Sequence, residues 1–463
     1  MDKYTVRPLK DDKSFTITVP GSKSITNRAL LLAAMCRGAC TLNGVLFSDD
    51  SRAFLSCLKE LGYSLDINED NKSVTIEGGC GIIPGRTISA IPLNAVSDVP
   101  SYHEPSKKTC HAPSLNVGSA GTAARFLTVF LAFAGGEYSL DASPQMRRRP
   151  MEPLISDLRK AGVEIICTEE EGHFPFIIRS DGIKVSEITC NTDVSSQFAS
   201  AILMASPLLK GGLKLKLEGS RTNGSYINIT LSMMLQFGFE YTRTGDTIEV
   251  KSGYTAGTEQ IWRIDNPADY YIEPDMSAAC YFYAMTPICA KTMQVRGVHP
   301  DSMQGDYQFI KVLRRLGCHV TDDPGGVILN PPADGSYPGI DINMKDFSDQ
   351  TMTMAVTAAF ASSPSTIHDV GHIRFQESDR LNAIVKELNR LGCKCSAIED
   401  NTGLYIEPSQ MHGADIETYE DHRIAMAFSL TGLRVPGVTI LNPLCCRKTF
   451  EDYFDVLDSI TVL

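Results

Sequence analysis

Nowhere does this sequence hold an apolar run of the ~20 residues that a helix needs to cross a bilayer. No secretory-type apolar segment follows Met1-Asp2-Lys3, so the expected location is the cytoplasm. Fourteen cysteines are present, yet none form a C-x-x-C pair. The closest couples, Cys393/Cys395 and Cys445/Cys446, lack a second pair at zinc-like spacing. Free thiols in a reducing compartment and no metal site are the expectation. Positive charge is also in deficit: 43 Lys and Arg against 55 Asp and Glu leave a net −12. That balance argues against nucleic-acid or membrane partners, so cations serving an anionic substrate must be gathered locally.

What is present describes a globular protein. Hydrophobic residues make up 43% and charged residues 21% of 463, a length that suits two or three domains. The chain also repeats. A helix of small and apolar residues leads to a strand, then to an amphipathic helix that stops at a glycine, then to a strand–turn–strand pair. The stops are Gly62, Gly162, Gly238, Gly317 and Gly392, spaced by 100, 76, 79 and 75 residues. Glycine just past a helix end is the expected left-handed cap, so these mark equivalent positions. The longer first interval contains a Pro- and Ser-rich stretch, 84–114, that reads as a loop insertion.

The apolar helices are expected to start near Ser24, Gly121, Ser195, Asp275, Asp349 and Asp421, and to be buried on all sides. A sixth unit ends without its last strand pair, while Tyr4–Arg7 and Phe15–Val19 are two strands with no unit of their own. The reading is that residues 1–20 complete the sixth unit. The expected fold is α/β: two similar domains, each of three βαβαββ units with buried parallel helices, joined by a two-strand hinge that lets the domains close. The domains are 21–272, and 1–20 with 273–463. A continuous six-unit solenoid is the alternative.

Polar residues gather at the helix starts. Pro20-Gly21-Ser22-Lys23-Ser24-Ile25-Thr26-Asn27-Arg28 runs a glycine turn into a helix with a Lys at its entrance and an Arg one turn in. Free N–H groups, the helix dipole and these cations suit phosphate or carboxylate. Gly118–Arg125 (GSAGTAAR) repeats the design. Ser195, Ser196 and Asp349 could equally be caps. Glu377-Ser378-Asp379-Arg380 opens an amphipathic helix, and Lys448 is read as starting the last one. Asp421-His422-Arg423 sets an Arg beside an apolar run, which calls for an anionic partner. Gln145–Pro150 carries three adjacent arginines, for two of which plain surface exposure is the default.

PGSKSITNRALLLAA, GSAGTAAR, RRRP, SSQF, the ESDR box, YEDHR and CRKTF, in this order, resemble the 5-enolpyruvylshikimate-3-phosphate synthase family, an enolpyruvyl transferase family, from about residue 4 to 455. The resemblance implies transfer of the enolpyruvyl group of phosphoenolpyruvate to the 5-hydroxyl of shikimate 3-phosphate, on the route to chorismate and the aromatic amino acids. It implies a shikimate 3-phosphate site of Lys23, Ser24, Arg28, Ser195, Ser196, Gln197, Tyr226, Asp349 and Gln376. It likewise implies a phosphoenolpyruvate site of Lys23, Gly121, Arg149, Gln197, Arg380, Arg423 and Lys448. Asp349 would accept the hydroxyl proton and Glu377 would deliver and remove the carbon-bound one, with Lys23 and Lys448 stabilising charge. No cofactor is implied, and a monomer is expected. Gln376 stands where the family has Lys, Gln145 where it has Arg, Asn223 where Ser is usual, His372 where Asn is frequent and Phe126 where Pro is common. The alternatives are the sister transferase that uses UDP-N-acetylglucosamine, and a non-catalytic anion-binding paralogue. Ser24 in place of Asn, and no Cys in the 145–149 loop, weigh against the first; Asp349, Glu377 and Lys448 together weigh against the second.

Overall fold

The computed structural model describes residues 2–85, 113–193, 195–255, 261–398 and 400–462, so most of the insertion read at 84–114 lies outside the described residues. Two compact units emerge: Met1–Lys23 with Glu273–Leu463, and Ser24–Ile272.

Each unit holds three small sheets built on one plan. In Ser24–Ile272 their orders are Asp269–Tyr271, Arg37–Asn43, Ser73–Gly79, Leu65–Asn68; then Ser114–Asn116, Gly136–Asp141, Phe176–Ser180, Glu164–Cys167; then Glu187–Asn191, Leu213–Glu218, Thr247–Val250, Tyr241–Thr244. The first two strands of each are parallel and the others antiparallel. A parallel pair needs a crossover, and in the second and third sheets a buried helix supplies it. The other unit repeats the plan with Ser14–Ile17, Thr292–Val295, Ile328–Asn330, His319–Thr321 and with Asp341–Asn343, Ser365–His368, Gly403–Glu407, Lys394–Ile398. Its last sheet has three strands, Asp415–Ile416, Thr439–Leu441 and Lys3–Thr5.

The chain start departs from expectation. Only Lys3–Thr5 completes the sixth unit, pairing antiparallel with Thr439–Leu441. Ser14–Ile17 instead lies parallel to Thr292–Val295 and opens the fourth sheet. The strand that precedes the fourth buried helix, Asp269–Tyr271, is already paired with Arg37–Asn43 in the first sheet. The two opening strands are thus exchanged between the first and fourth repeats, and each fills the parallel position the other leaves. Gly21 and Pro274 form an antiparallel bridge beside these crossings.

The buried helices are Lys23–Met35, Gly121–Ala134, Ser196–Ala205, Met276–Cys289, Thr351–Ala359 and His422–Gly432. Their Ala, Leu, Met and Phe side chains are covered on every face, which only a helix with no polar stripe tolerates. The amphipathic helices Asp49–Glu60, Glu152–Lys160, Ser225–Gln236, Gln308–Arg315 and Arg380–Arg390 bury one face each. All five end alike. At the last, the Gly392 N–H reaches the Asn389 carbonyl at 3.0 Å and the Cys393 N–H reaches Leu388 at 2.9 Å, the two bonds of a Schellman cap. The five glycines have φ between 82° and 97°.

Gly238 (φ 82°) isolates the conformational part of this device. A Cβ there would meet nothing nearer than Ile264 Cγ2 at 3.7 Å, whereas at Gly62 it would lie 2.7 Å from the Gly85 nitrogen. Gly238→Ala should therefore cost about 1 kcal/mol, the left-handed penalty alone, and Gly62→Ala clearly more. Urea midpoints of the two variants check the order.

Candidate active site

In Ser24–Ile272, side chains at the helix N-termini bind the three buried helices to one another. Asn27 Nδ2 donates to Thr122 Oγ1 at 2.5 Å, tying the first helix to the second. Arg125 Nη1 donates to Gln197 Oε1 at 2.9 Å, tying the second to the third. Arg28 reaches across the first and third: its Nε donates to Thr230 Oγ1 at 2.7 Å, and its Nη groups to Ser200 Oγ and the carbonyls of Ser24 and Tyr226. The convergence of Ser24, Arg28, Gln197 and Tyr226 expected from sequence is thus present within this unit.

Arg28 is 1% exposed and lies over the rings of Phe126 and Tyr226, 5.2 and 6.0 Å from their centroids. No carboxylate among the described residues pairs with it. Burial pushes its pKa down to about 10, with Tyr226 pulling the other way. Gly121 shows why this helix must begin without a side chain. A Cβ there would fall 2.6 Å from Arg125 Nη1 and 2.8 Å from Arg149 Nη1, so two guanidinium groups crowd the helix start. The three adjacent arginines divide their work. Arg147 is held by Asp141 and Glu169 at 2.8 Å each, Arg148 is exposed, and Arg149 stands against Gly121. Ser195 is the N-cap, accepting from the Gln197 N–H at 3.2 Å, and Ser196 is the first helical residue.

The other unit carries a denser ionic cluster. Arg380, 2% exposed, donates through Nε to Asp421 Oδ2 at 2.7 Å and through Nη1 to Asp349 Oδ1 at 3.2 Å and to Gln376 Oε1. Arg423 Nη2 donates to Asp349 Oδ2 at 2.9 Å, which supplies the anionic partner expected for it. Asp421 is fully buried and caps its helix through the Arg423 N–H. Desolvation alone would lower the Arg380 pKa, but Asp421 and Asp349 outweigh it and the net shift is upward. Lys448 Nζ meets Glu377 Oε2 at 2.5 Å with both side chains largely buried. The Lys23 N–H donates to Asp275 Oδ2 at 3.2 Å at the start of its helix.

Three local readings change. Asp349 does not open a helix: it sits in the 3-10 segment Lys345–Gln350, and the helix begins at Thr351. Glu377 precedes its helix, whose N-cap is Asp379. Lys448 closes the 3-10 segment Pro443–Lys448, with the last helix starting at Tyr453. In each case the side chain is held by an ion pair rather than by a cap. His422 is buried with neither ring nitrogen bonded; burial, then Lys23 and Arg423, push its pKa well down, so it stays neutral. Sequence reasoning missed Asp306, whose carboxylate accepts from Ser277 and, at 2.8 Å, from Gln350 Nε2 beside Asp349.

Among known proteins, the sequence family described as EPSP synthase (3-phosphoshikimate 1-carboxyvinyltransferase) matches residues 10–90 and 93–457. A 3-phosphoshikimate 1-carboxyvinyltransferase of Nostoc punctiforme is 36% identical over 455 residues, covering 98% of each chain. That of Yersinia pseudotuberculosis is 36% identical over 456 residues, again 98% of each. A chloroplastic one of Arabidopsis thaliana is 35% identical, over 99% of this chain and 84% of its own. The solved structure of an EPSP synthase from Acinetobacter baumannii superposes with a TM-score of 0.77, over 100% of this chain and 98% of that one, at 23% identity. At that identity the likeness speaks for the fold.

Asp306 generates a test by pH. Burial first, and the Asp349 charge second, push its pKa up to about 6, against the pull of Arg423 and the hydrogen bonds from Ser277 and Gln350. An unfolded Asp titrates near ~3.9, so above that pH the native state binds the extra proton and stability falls until Asp306 is ionised. Asp306→Asn should therefore gain on the native sequence as pH rises from ~4 to ~7. A gap between their urea midpoints that does not change with pH contradicts this.

Proposed function

Because the chain belongs to the EPSP synthase (3-phosphoshikimate 1-carboxyvinyltransferase) family, it transfers the enolpyruvyl group of phosphoenolpyruvate to the 5-hydroxyl of shikimate 3-phosphate, and we propose which side chains do so. Its fold is the two-domain enolpyruvyl transferase fold. Lys23, Ser24, Arg28, Ser195, Ser196, Gln197, Tyr226, Asp349 and Gln376 take shikimate 3-phosphate. Lys23, Gly121, Arg149, Gln197, Arg380, Arg423 and Lys448 take phosphoenolpyruvate.

The observation that carries this reading is the grip of Arg380 and Arg423 on Asp349, next to the Lys448–Glu377 pair. Two guanidinium groups favour the ionised form of Asp349 and make it a weak base. An incoming phosphate or carboxylate competes for the same N–H groups. Asp349 loses part of that stabilisation as phosphoenolpyruvate binds, and its affinity for the hydroxyl proton rises when the substrate is in place.

The 5-hydroxyl oxygen then bonds to the phosphate-bearing carbon of phosphoenolpyruvate while Asp349 takes its proton. Glu377 gives its proton to the adjacent methylene carbon, and Lys448 stabilises the carboxylate left behind. From the tetrahedral adduct, the C–O bond to phosphate breaks, Glu377 recovers a proton from the methyl group, and the enol double bond re-forms. Protons and charge are thus handled by side chains, so no cofactor is proposed. We propose a monomer in the cytoplasm. The described cysteines are all free thiols, and no helix among the described residues is long and apolar enough to cross a membrane.

Glu377→Gln should lower kcat by about 10²-fold or more while shikimate 3-phosphate affinity changes less than about threefold. Near-normal kcat would move the proton to another group, with Lys448 next. Arg149→Ala should raise KM for phosphoenolpyruvate far more than for shikimate 3-phosphate. Arg147→Ala, whose partners are Asp141 and Glu169, should change neither by more than about twofold. Steady-state kinetics with each substrate varied in turn separates them.

A further inference from the structure

The turn that leads into Asp421 and Arg423 is built against local preference. The Asp421 N–H donates to the Thr418 carbonyl at 2.8 Å, closing a four-residue turn. Its central residues, Tyr419 and Glu420, have φ of 55° and 56°. Two successive positive φ values are the signature of a type I′ turn, which Gly and Asn enter readily. Tyr and Glu enter it only against repulsion between Cβ and the backbone carbonyl. The Glu420 side chain is exposed and offers no compensating burial.

Compensation comes from helix Arg380–Arg390. Seven residues apart, Arg380 and Glu387 lie on one face of it, 2% and 0% exposed. Arg380 holds Asp421 at the end of the turn. Glu387 holds the beginning: Oε2 accepts the Glu417 N–H at 3.2 Å, and Oε1 accepts the Tyr419 hydroxyl at 2.7 Å. Arg390 Nε stands 2.9 Å from Glu387 Oε2 and supplies its counter-charge. Burial and the Glu387 charge push the Tyr419 pKa up, so its hydroxyl keeps the proton it donates.

We infer that Glu387 is a positioning residue for the anion site: together with Arg380 it holds the 418–421 turn left-handed, and so fixes where Asp421 and Arg423 stand. The inference rests on Arg423 being a phosphoenolpyruvate ligand. Glu387 acts through the turn, and its loss should appear in the kinetics of that one substrate.

The test is steady-state kinetics on the full chain. Glu387→Gln, which cannot accept from two donors with one oxygen and adds an N–H of its own, should raise KM for phosphoenolpyruvate about tenfold and KM for shikimate 3-phosphate less than about twofold. Tyr419→Phe, which loses one hydrogen bond, should give a rise of about threefold and carries the test if Glu387→Gln does not fold. Glu420→Gly alone should leave both constants near native. Combined with Glu387→Gln or Tyr419→Phe, it should recover much of the loss, because glycine takes positive φ without the Cβ penalty. Equal rises in both KM values, or no recovery with glycine at 420, would overturn the inference. Arg423→Ala is the control: an unchanged KM for phosphoenolpyruvate would overturn the assignment of Arg423, and the inference with it, while a large rise beside a silent Glu387→Gln would overturn the inference alone.

Discussion

A guanidinium group removed from water must find partners, and the site's architecture follows from how each unit meets that demand. In Ser24–Ile272, Arg28 is buried among hydroxyls, carbonyls and aromatic faces, so its hydrogen bonds are made but its charge is not neutralised. In the other unit, Arg380 and Arg423 are held by Asp349 and Asp421, two cations against two carboxylates. The first arrangement keeps a net positive charge in place for a polyanion. The second keeps a balanced cluster whose members an incoming anion must rearrange. The different roles proposed for the two groups of residues follow from that difference.

Such groups would not hold position on loops. They stand at or near the starts of helices that are apolar all round, which is possible only because each helix is sealed in a repeat with its own small sheet and amphipathic cover. The five Schellman caps stop the amphipathic helices at equivalent points. At the helix starts, Asn27–Thr122 and Arg125–Gln197 couple neighbouring repeats, so a shift in one helix start is transmitted to the next.

Much of this was legible in the sequence because it is written in local chemistry. The five glycines mark real left-handed caps, and the apolar helices begin within a residue or two of the expected starts. What the sequence hid was non-local or chemically disguised. Nothing in Phe15 to Val19 says that this strand pairs with Thr292–Val295 rather than with the sixth unit, since an alternating strand carries no address. Asp349, Glu377 and Lys448 looked like helix-end residues, but their positions are set by ion pairs formed across long sequence separations. Gln376 read as a lost cation; in the fold its carbonyl oxygen accepts from Arg380, a role a lysine could not fill. The turn at Tyr419 and Glu420 was invisible because neither residue is a turn former, and only the buried Glu387 explains why it holds.

The central claim is that Arg28 keeps an uncompensated buried charge for an anionic substrate. Arg28→Met tests it most directly, because the side chain keeps much of its apolar bulk and loses only the charge and its hydrogen bonds. The quantity to measure is the thermal midpoint with and without shikimate 3-phosphate. The account predicts a ligand-free midpoint equal to or above that of the native sequence, together with loss of the ligand-induced rise. A ligand-free midpoint that drops while the ligand-induced rise survives would contradict it, and would make Arg28 a structural residue only.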